Sequence, residues 1–192
     1  LKHNETLIAY RSKQSIPSDV IVYDDDFMQV SQLWHIFEYN DECIQSDFKL
    51  LTAGRTSELI SETNACTNLE NIFIEDGAKV ENAILNASTG PIYLGKNAEI
   101  MEGSIVRGPL AMCKKSVLKM GSKIYGATTL GPYCKVGGEV NNSVFLGYSN
   151  KGHDGFLGNS VLGEWCNLGA DTNNSNLKNN YVEVKLWNYP SE

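Results

Sequence analysis

Residues 93–138 read YLGKNAEIMEGSIVRGPLAMCKKSVLKMGSKIYGATTLGPYCKVGG. Within this stretch Leu94, Ile100, Val106, Met112, Leu118, Ile124, Leu130 and Val136 fall at intervals of six, without a break. Self-similarity at a fixed period marks repeat architectures. A six-residue period matches neither an amphipathic helix nor a simple half-buried strand. It matches a mainly β fold, a parallel β-helix of hexapeptide repeats, in which each hexad forms one flat side of a prism and three hexads close a coil. Two residues before the rungs stand Ala98, Ser104, Leu110, Ser116, Ser122, Thr128 and Cys134, of which only Leu110 is large. Positions two apart in a strand share a face, so both sets are expected to point inward, the large residue filling the prism and the small one fitting beside it. Gly103, Gly121, Gly137 and Gly138 fall near the corners.

Stacked coils put Ile100, Leu118 and Val136 on one side of the prism. Leu94, Met112 and Leu130 fall on the next, and Val106 and Ile124 on the third. Hydrogen-bonded strands repeat about every 4.8 Å, so each coil buries its neighbour. An antiparallel sandwich with accidental spacing is the alternative; it gives no reason for the unbroken register. The period does not fix the hand of the coil, although parallel crossovers are normally right-handed.

The pattern extends beyond this stretch with changes of phase. Ile74 and Val80 stand upstream; Val140 and Leu146, then Phe156, Leu162 and Leu168, stand downstream. The intervening GYSNKGHDG, residues 147–155, is expected to be a loop expelled from the prism, and loops on rigid scaffolds are where function concentrates. The hexad occupies residues from about 68 to 180, so the chain divides into a small α/β part over 1–60 and a β-helix over 61–192. In the first part Leu7 to Tyr10 and Val20 to Tyr23 read as strands. Asp24, Asp25 and Asp26 then cap an amphipathic helix bearing Val30, Leu33, Trp34 and Phe37, which Asn40-Asp41 ends. Ile44, Phe48 and Leu51 predict a second helix, and Tyr181 to Trp187 a terminal strand. Because the chain opens on Leu1, it is expected to be part of a longer protein.

The 192 residues carry a net charge of −7. Without a basic stripe to meet phosphates, nucleic acid is not the expected partner. Cys43, Cys66, Cys113, Cys134 and Cys166 are an odd set with no close pairs, which speaks against a disulfide framework or zinc site and for a reducing cytoplasm. No apolar run approaches the length of a membrane span. The three histidines are His3, His35 and His153. His35 lies beside Trp34 and reads as structural. Only His153 falls in the prism, so a zinc site of three histidines on neighbouring coils is rejected.

His153 opens the stretch GHDGFLGNSVLGEWCNLGADTNNSNL, residues 152–177. Gly152-His153, Leu157-Gly158-Asn159, Leu162-Gly163 and Cys166-Asn167-Leu168-Gly169-Ala170-Asp171-Thr172 resemble a motif series in the acetyltransferase half of the bifunctional N-acetylglucosamine-1-phosphate uridylyltransferase–glucosamine-1-phosphate acetyltransferase. VGGEVNNSVFLGYSNK, residues 136–151, resembles the segment before that family's histidine. The close match covers about 40 residues. The chain as a whole resembles the hexapeptide half of a sugar-1-phosphate nucleotidylyltransferase of this kind, with residues 1–60 resembling the end of the nucleotidylyltransferase domain. Hexapeptide prisms of such families are left-handed, and the resemblance implies that hand here.

The resemblance implies roles. His153 matches the general base that takes a proton from the sugar amine; a histidine titrates near neutrality and a placed base contributes roughly 10²–10⁴ in rate. Asn167 matches a sugar-contacting asparagine. Ala170, next to Gly169, matches the residue whose backbone meets the acetyl group of acetyl-CoA, the implied acyl donor. Three positions depart from the family. Phe156 replaces a sugar-binding tyrosine, Asn141 replaces a lysine that meets the sugar phosphate, and Asp171 places a carboxylate in the Gly-Ala-Gly-Thr turn. Arg107 or Lys151 is the alternative source of phosphate charge. Two functions follow: an N-acetyltransferase acting on an amino-sugar phosphate from a site between the protomers of a homotrimer, or a non-catalytic trimerising and regulatory half of a sugar-nucleotide pyrophosphorylase. The nucleotide loop and its metal-binding aspartate are absent from these residues, so no metal is expected. Trp165 reads as packing, and Asn173, Asn174 and Asn176 as turn chemistry.

Overall fold

A computed structural model describes residues 2–3, 6–7, 22, 27–174 and 179–183. The chain divides into two compact units, Leu1–Ser31 and Gln32–Glu192. In the first, β1 (Lys2–His3) runs antiparallel to β2 (Thr6–Leu7), with Lys2 opposite Leu7. The expected strands at 7–10 and 20–23, the Asp24–Asp26 cap and the 181–187 strand lie wholly or partly outside the described residues.

The second unit opens with α1 (His35–Glu38) and α2 (Asn40–Thr52). The first helix is shorter than its periodicity predicts. Val30 and Leu33 stay 56% and 60% exposed, so only the Phe37 end of the apolar stripe is half-buried, and the exposed end gains no packing to offset helix nucleation. The second helix forms where predicted. Its first residue, Asn40, is buried and donates from Nδ2 to the Ala127 carbonyl at 2.7 Å, while Thr129 Oγ1 donates to Asn40 Oδ1 at 2.7 Å.

The remainder is a parallel β-solenoid of about six turns. Its first coil holds β3 (Ala65–Thr67), β4 (Ile72–Ile74) and β5 (Lys79–Val80). The second holds β6 (Ile84–Asn86), β7 (Ile92–Leu94) and β8 (Glu99–Ile100). The third holds β9 (Ile105–Arg107), β10 (Leu110–Met112) and β11 (Val117–Leu118), and the fourth β12 (Lys123–Tyr125), β13 (Thr128–Leu130) and β14 (Lys135–Val136). The last two coils contain the nine-residue strand β15 (Glu139–Gly147), the short β16 (Asn150–Lys151) and the nine-residue β17 (Phe156–Glu164). We call the faces begun by β3, β4 and β5 the first, second and third.

The rungs stack as the period requires. Leu118 pairs with Ile100 and Val136 on the third face, Met112 with Leu94 and Leu130 on the second, and Ile124 with Val106 on the first. All seven residues two before the rungs are fully buried, so small polar Ser104, Ser116 and Ser122 line the interior beside the aliphatics. Ser116 and Ser122 donate to the carbonyls of Cys113 and Lys119, three residues back, which satisfies hydroxyls that water cannot reach. Gly103, Gly121 and Gly138 take corner positions at φ +73°, +70° and +73°, a left-handed conformation that glycine adopts without a Cβ clash.

Two downstream expectations need correction. Phe145, not Leu146, pairs with Leu130 and is fully buried, whereas Leu146 is 48% exposed. Leu157, not Phe156, pairs with Val140 and points inward. A one-residue slip reverses the face of every side chain in a strand. The cause is coil length. Ile124 pairs with Val140, sixteen residues on, and Leu130 with Phe145, fifteen on. In β15 the first two faces run together as one strand, the corner reduced to the left-handed Asn142 at φ +43° where Gly126-Ala127 stands one coil earlier.

Candidate functional site

Residues 147–155 are not expelled from the prism. Asn150 and Lys151 form β16 and pair with Lys135 and Val136, continuing the third face. Lys151 therefore occupies a rung position, in the column of Val80, Ile100, Leu118 and Val136, and is 1% exposed. This corrects its reading as a phosphate ligand. A buried ammonium requires full hydrogen bonding, and Lys151 Nζ donates to the carbonyls of Gly137 at 2.9 Å, His153 at 3.1 Å and Gly155 at 2.8 Å. Burial draws its pKa below the usual lysine range, and Asp154 opposes that pull.

His153 follows on the corner that leads from the third face back to the first. Its residue is exposed, while its carbonyl turns inward to Lys151. The corner packs on the one beneath: a Cβ placed on Gly138 would meet His153 O, Asp154 Cα and Lys151 Nζ, each at 2.9 Å. Above it, the Asp171 N–H donates to the Asp154 carbonyl at 3.0 Å. His153 and Ala170 are thus equivalent residues of successive coils at one corner. Gly169 and Ala170 are both exposed. Asn167 bridges to Asn150 in parallel register and accepts a 2.8 Å bond from its Nδ2, so it lies on the third face just before that corner.

The first face carries the remaining candidates. Phe156 opposes Glu139 and Asn141 opposes Tyr125, all pointing outward. Arg107 lies in the same column one coil before Tyr125, opposite Asn86, and is exposed. Arg107, Lys123, Tyr125 and Glu139 line a groove of about 590 Å³ with Pro109 and Asp41. His153 is not among its lining residues. The structure therefore gathers His153, Ala170 and Gly169 at one corner, sets Phe156 and Asn141 on the face that begins there, and leaves Arg107 in a groove farther down that face.

Sequence reading missed the wall of this groove. Tyr125 Oη donates to Glu139 Oε1 at 2.5 Å, and this bond raises the phenol pKa. Lys123 and Glu139 sit one residue before the inward Ile124 and Val140, so the ladder itself marks them as outward. Also missed was a ring stack at the corner between the second and third faces. Tyr133, Tyr148 and Trp165 stack with centroids 5.2 and 4.7 Å apart and planes within 9° and 7°. Trp165, read as packing, stacks on Tyr148 with one face and is 75% exposed. Asn173 and Asn174 accept bonds from the Phe156 and Gly158 N–H groups, extending the coil above.

Among the described residues no group of three or more His, Cys, Asp or Glu side chains is arranged to hold a metal ion. No helix there is long and apolar enough to cross a membrane. Residues 1–56 match the family model described as sugar nucleotidyl transferase. The match covers the first unit and both helices and ends before the solenoid. No curated protein matches the chain.

Proposed function

We propose that this chain is part of a sugar-nucleotide enzyme whose solenoid transfers an acetyl group from acetyl-CoA to an amino-sugar phosphate at the His153 corner. The observation that carries this reading is the stacking of His153 under Ala170 at one exposed corner, the two positions to which the resemblance gives the base and the thioester contact. The sugar nucleotidyl transferase match over residues 1–56 supports the substrate class. His153 takes a proton from the ammonium of the acceptor. The freed amine attacks the thioester carbonyl, a C–N bond forms and the C–S bond breaks. The surplus proton on the new amide nitrogen passes to the departing CoA thiolate, while His153 returns its own proton to solvent. The Ala170 backbone N–H is the donor suited to the developing oxyanion. Phe156 supplies an apolar wall for the sugar ring. Asn167 and Asn141 supply hydrogen bonds, and a neighbouring protomer of a homotrimer covers the corner.

A second reading has its own observation. The groove pairs the cations Arg107 and Lys123 with the carboxylates Glu139 and Asp41 and excludes His153, which favours a regulatory or trimerising solenoid that binds a polar ligand away from any acyl chemistry. CoA release with glucosamine 1-phosphate and related amino sugars separates the two. Under the first reading His153→Ala lowers the rate by roughly 10²–10⁴ and leaves the fold unchanged by circular dichroism. Release that is absent across the panel, or indifferent to the substitution, removes the acyltransferase reading and leaves the regulatory one.

A further inference from the structure

The column Val80, Ile100, Leu118, Val136 is aliphatic until its next rung, which is Lys151. The interior of a solenoid gains nothing from a charge at that place: an ammonium buried there loses its hydration and needs acceptors to replace it. Lys151 has one acceptor for each of its three N–H donors, and two of the three lie in the corner that follows it, on His153 and Gly155. The third, on Gly137, belongs to the corner beneath. The Gly137 N–H donates in return to the Lys151 carbonyl at 2.6 Å, so the two corners are tied in both directions. Because the bond falls on the carbonyl of His153 itself, it fixes the peptide plane from which the imidazole projects outward. Besides the lysine, the corner is tied by the Glu139 N–H to the Gly155 carbonyl at 3.2 Å and by the Asp171 N–H to the Asp154 carbonyl at 3.0 Å. It contains Gly152 and Gly155, the latter at φ +121°, and no strand pairing between residues 152 and 155.

We propose that Lys151 is a positioning residue. Its ammonium clamps the 152–155 corner onto Gly137 from inside the prism and thereby holds the His153 imidazole in the direction needed for proton transfer. The catalytic half of this statement rests on the acyltransferase reading; the clamp itself does not. A further consequence concerns register. A rung that bonds three carbonyls cannot exchange places with the neutral rungs around it, so Lys151 also pins the fifteen-residue spacing that begins between Leu130 and Phe145 and continues from Val136 to Lys151.

Lys151→Met tests the proposal in the full chain, because methionine fills the rung without donors. Two quantities are followed together: amide hydrogen exchange along the chain, and the side-chain NMR signal of His153, assigned by its loss in His153→Ala. The clamp predicts at least tenfold faster exchange over residues 152–156, with β11 and β14 unchanged. It also predicts a His153 signal moved toward that of a freely rotating imidazole. In an active protein kcat falls at least tenfold while KM for acetyl-CoA stays within twofold, a split that a general loss of fold does not produce. Unchanged exchange at 152–156 together with an unmoved His153 signal overturns the clamp. A clamp signature without any CoA release in the wild type leaves the clamp standing and removes the acyltransferase reading. Should Lys151→Met fail to fold, Lys151→Gln, which keeps two N–H donors, gives the same comparison with a smaller expected change.

Discussion

Glu75 accepts hydrogen bonds from Arg55 Nη2 at 2.7 Å and from Tyr93 Oη at 2.6 Å, and so joins the segment after α2 to the outside of the second face. Arg55 chiefly, and Tyr93 with it, hold the carboxyl below its usual range. Its contribution to stability is therefore complete above about pH 4.5, the unfolded value, and is lost as pH falls through the lower folded value. Burial first, and Glu75 second, push the Tyr93 phenol up to about 12. That contribution is complete below about pH 10 and is lost as pH rises through about 12. Ultraviolet titration of the wild type minus Tyr93→Phe should show the missing phenol ionising near 12; ionisation near 10 would show the bond to be broken in solution. Glu75→Gln should flatten the fall in Tm between pH 5 and 3. At the same scale the inward turn of Phe145 makes an unequal pair. Phe145→Ala empties a fully buried site and should cost about 3–5 kcal/mol, whereas Leu146→Ala, half exposed, should cost less than about 1 kcal/mol by urea unfolding.

Strands of two or three residues hold no stability of their own, and each element here is defined by its neighbours in the stack. The corner between the second and third faces shows how alignment survives where the repeat fails. Lys115, Tyr133, Tyr148 and Trp165 occupy it in successive coils, at φ between +51° and +61°. Large side chains are unfavourable there, and ring stacking offsets the strain, each aromatic pair contributing about 0.5–1.5 kcal/mol. Tyr148→Ala breaks two stacks and keeps the strain, so it should destabilise by about 1–3 kcal/mol. Tyr148→Gly loses the same stacks but relieves the backbone, and should cost less. The opposite order in thermal unfolding would mean that the rings do not hold the corner. This corner also explains what could be read without a structure. From Leu94 to Val136 one side-chain pattern repeats, and the pairing of every rung follows from counting by six. Beyond Val136 coils of fifteen to seventeen residues break the count. The slip at Leu146 and Phe156 followed, because an inward phenylalanine at 145 and an outward one at 156 look alike in sequence. Lys151 was legible as a cation and not as a rung, since nothing in its neighbours announces that carbonyls rather than phosphates would meet it. His153, Asn167 and Ala170 were legible through their motif alone; that the first and last share a corner needed the seventeen-residue coil.

Because each coil touches only the coils beside it, the stability of the whole solenoid is nearly a sum of coil terms and nearest-neighbour interfaces. Its two ends need not lose order together. Leu118 stacks between Ile100 and Val136 in the middle of the third face and is fully buried. Leu118→Ala leaves a cavity there and should cost about 2–5 kcal/mol. In a two-state globular domain that loss would appear in every strand. In a stack it should appear first in the third coil and its immediate neighbours. The His153 corner is joined to that cavity through Val136 and Lys151 and through the Gly137-Gly138 corner beneath it, and the carbonyl bonds of Lys151 do not depend on the aliphatic column being full. Hydrogen exchange in Leu118→Ala should therefore rise most in β8, β11 and β14, less in β5 and β16, and least over residues 152–156. Uniform acceleration along the solenoid would show that it unfolds as one cooperative unit, and the independence of the candidate site from the scaffold beneath it would fall with that result. Graded acceleration would mean that the lower coils can vary in sequence with little effect on the site. On that outcome the ladder from Leu94 to Val136 serves as a spacer that fixes where the His153 corner stands, while the three bonds of Lys151 fix how it is held.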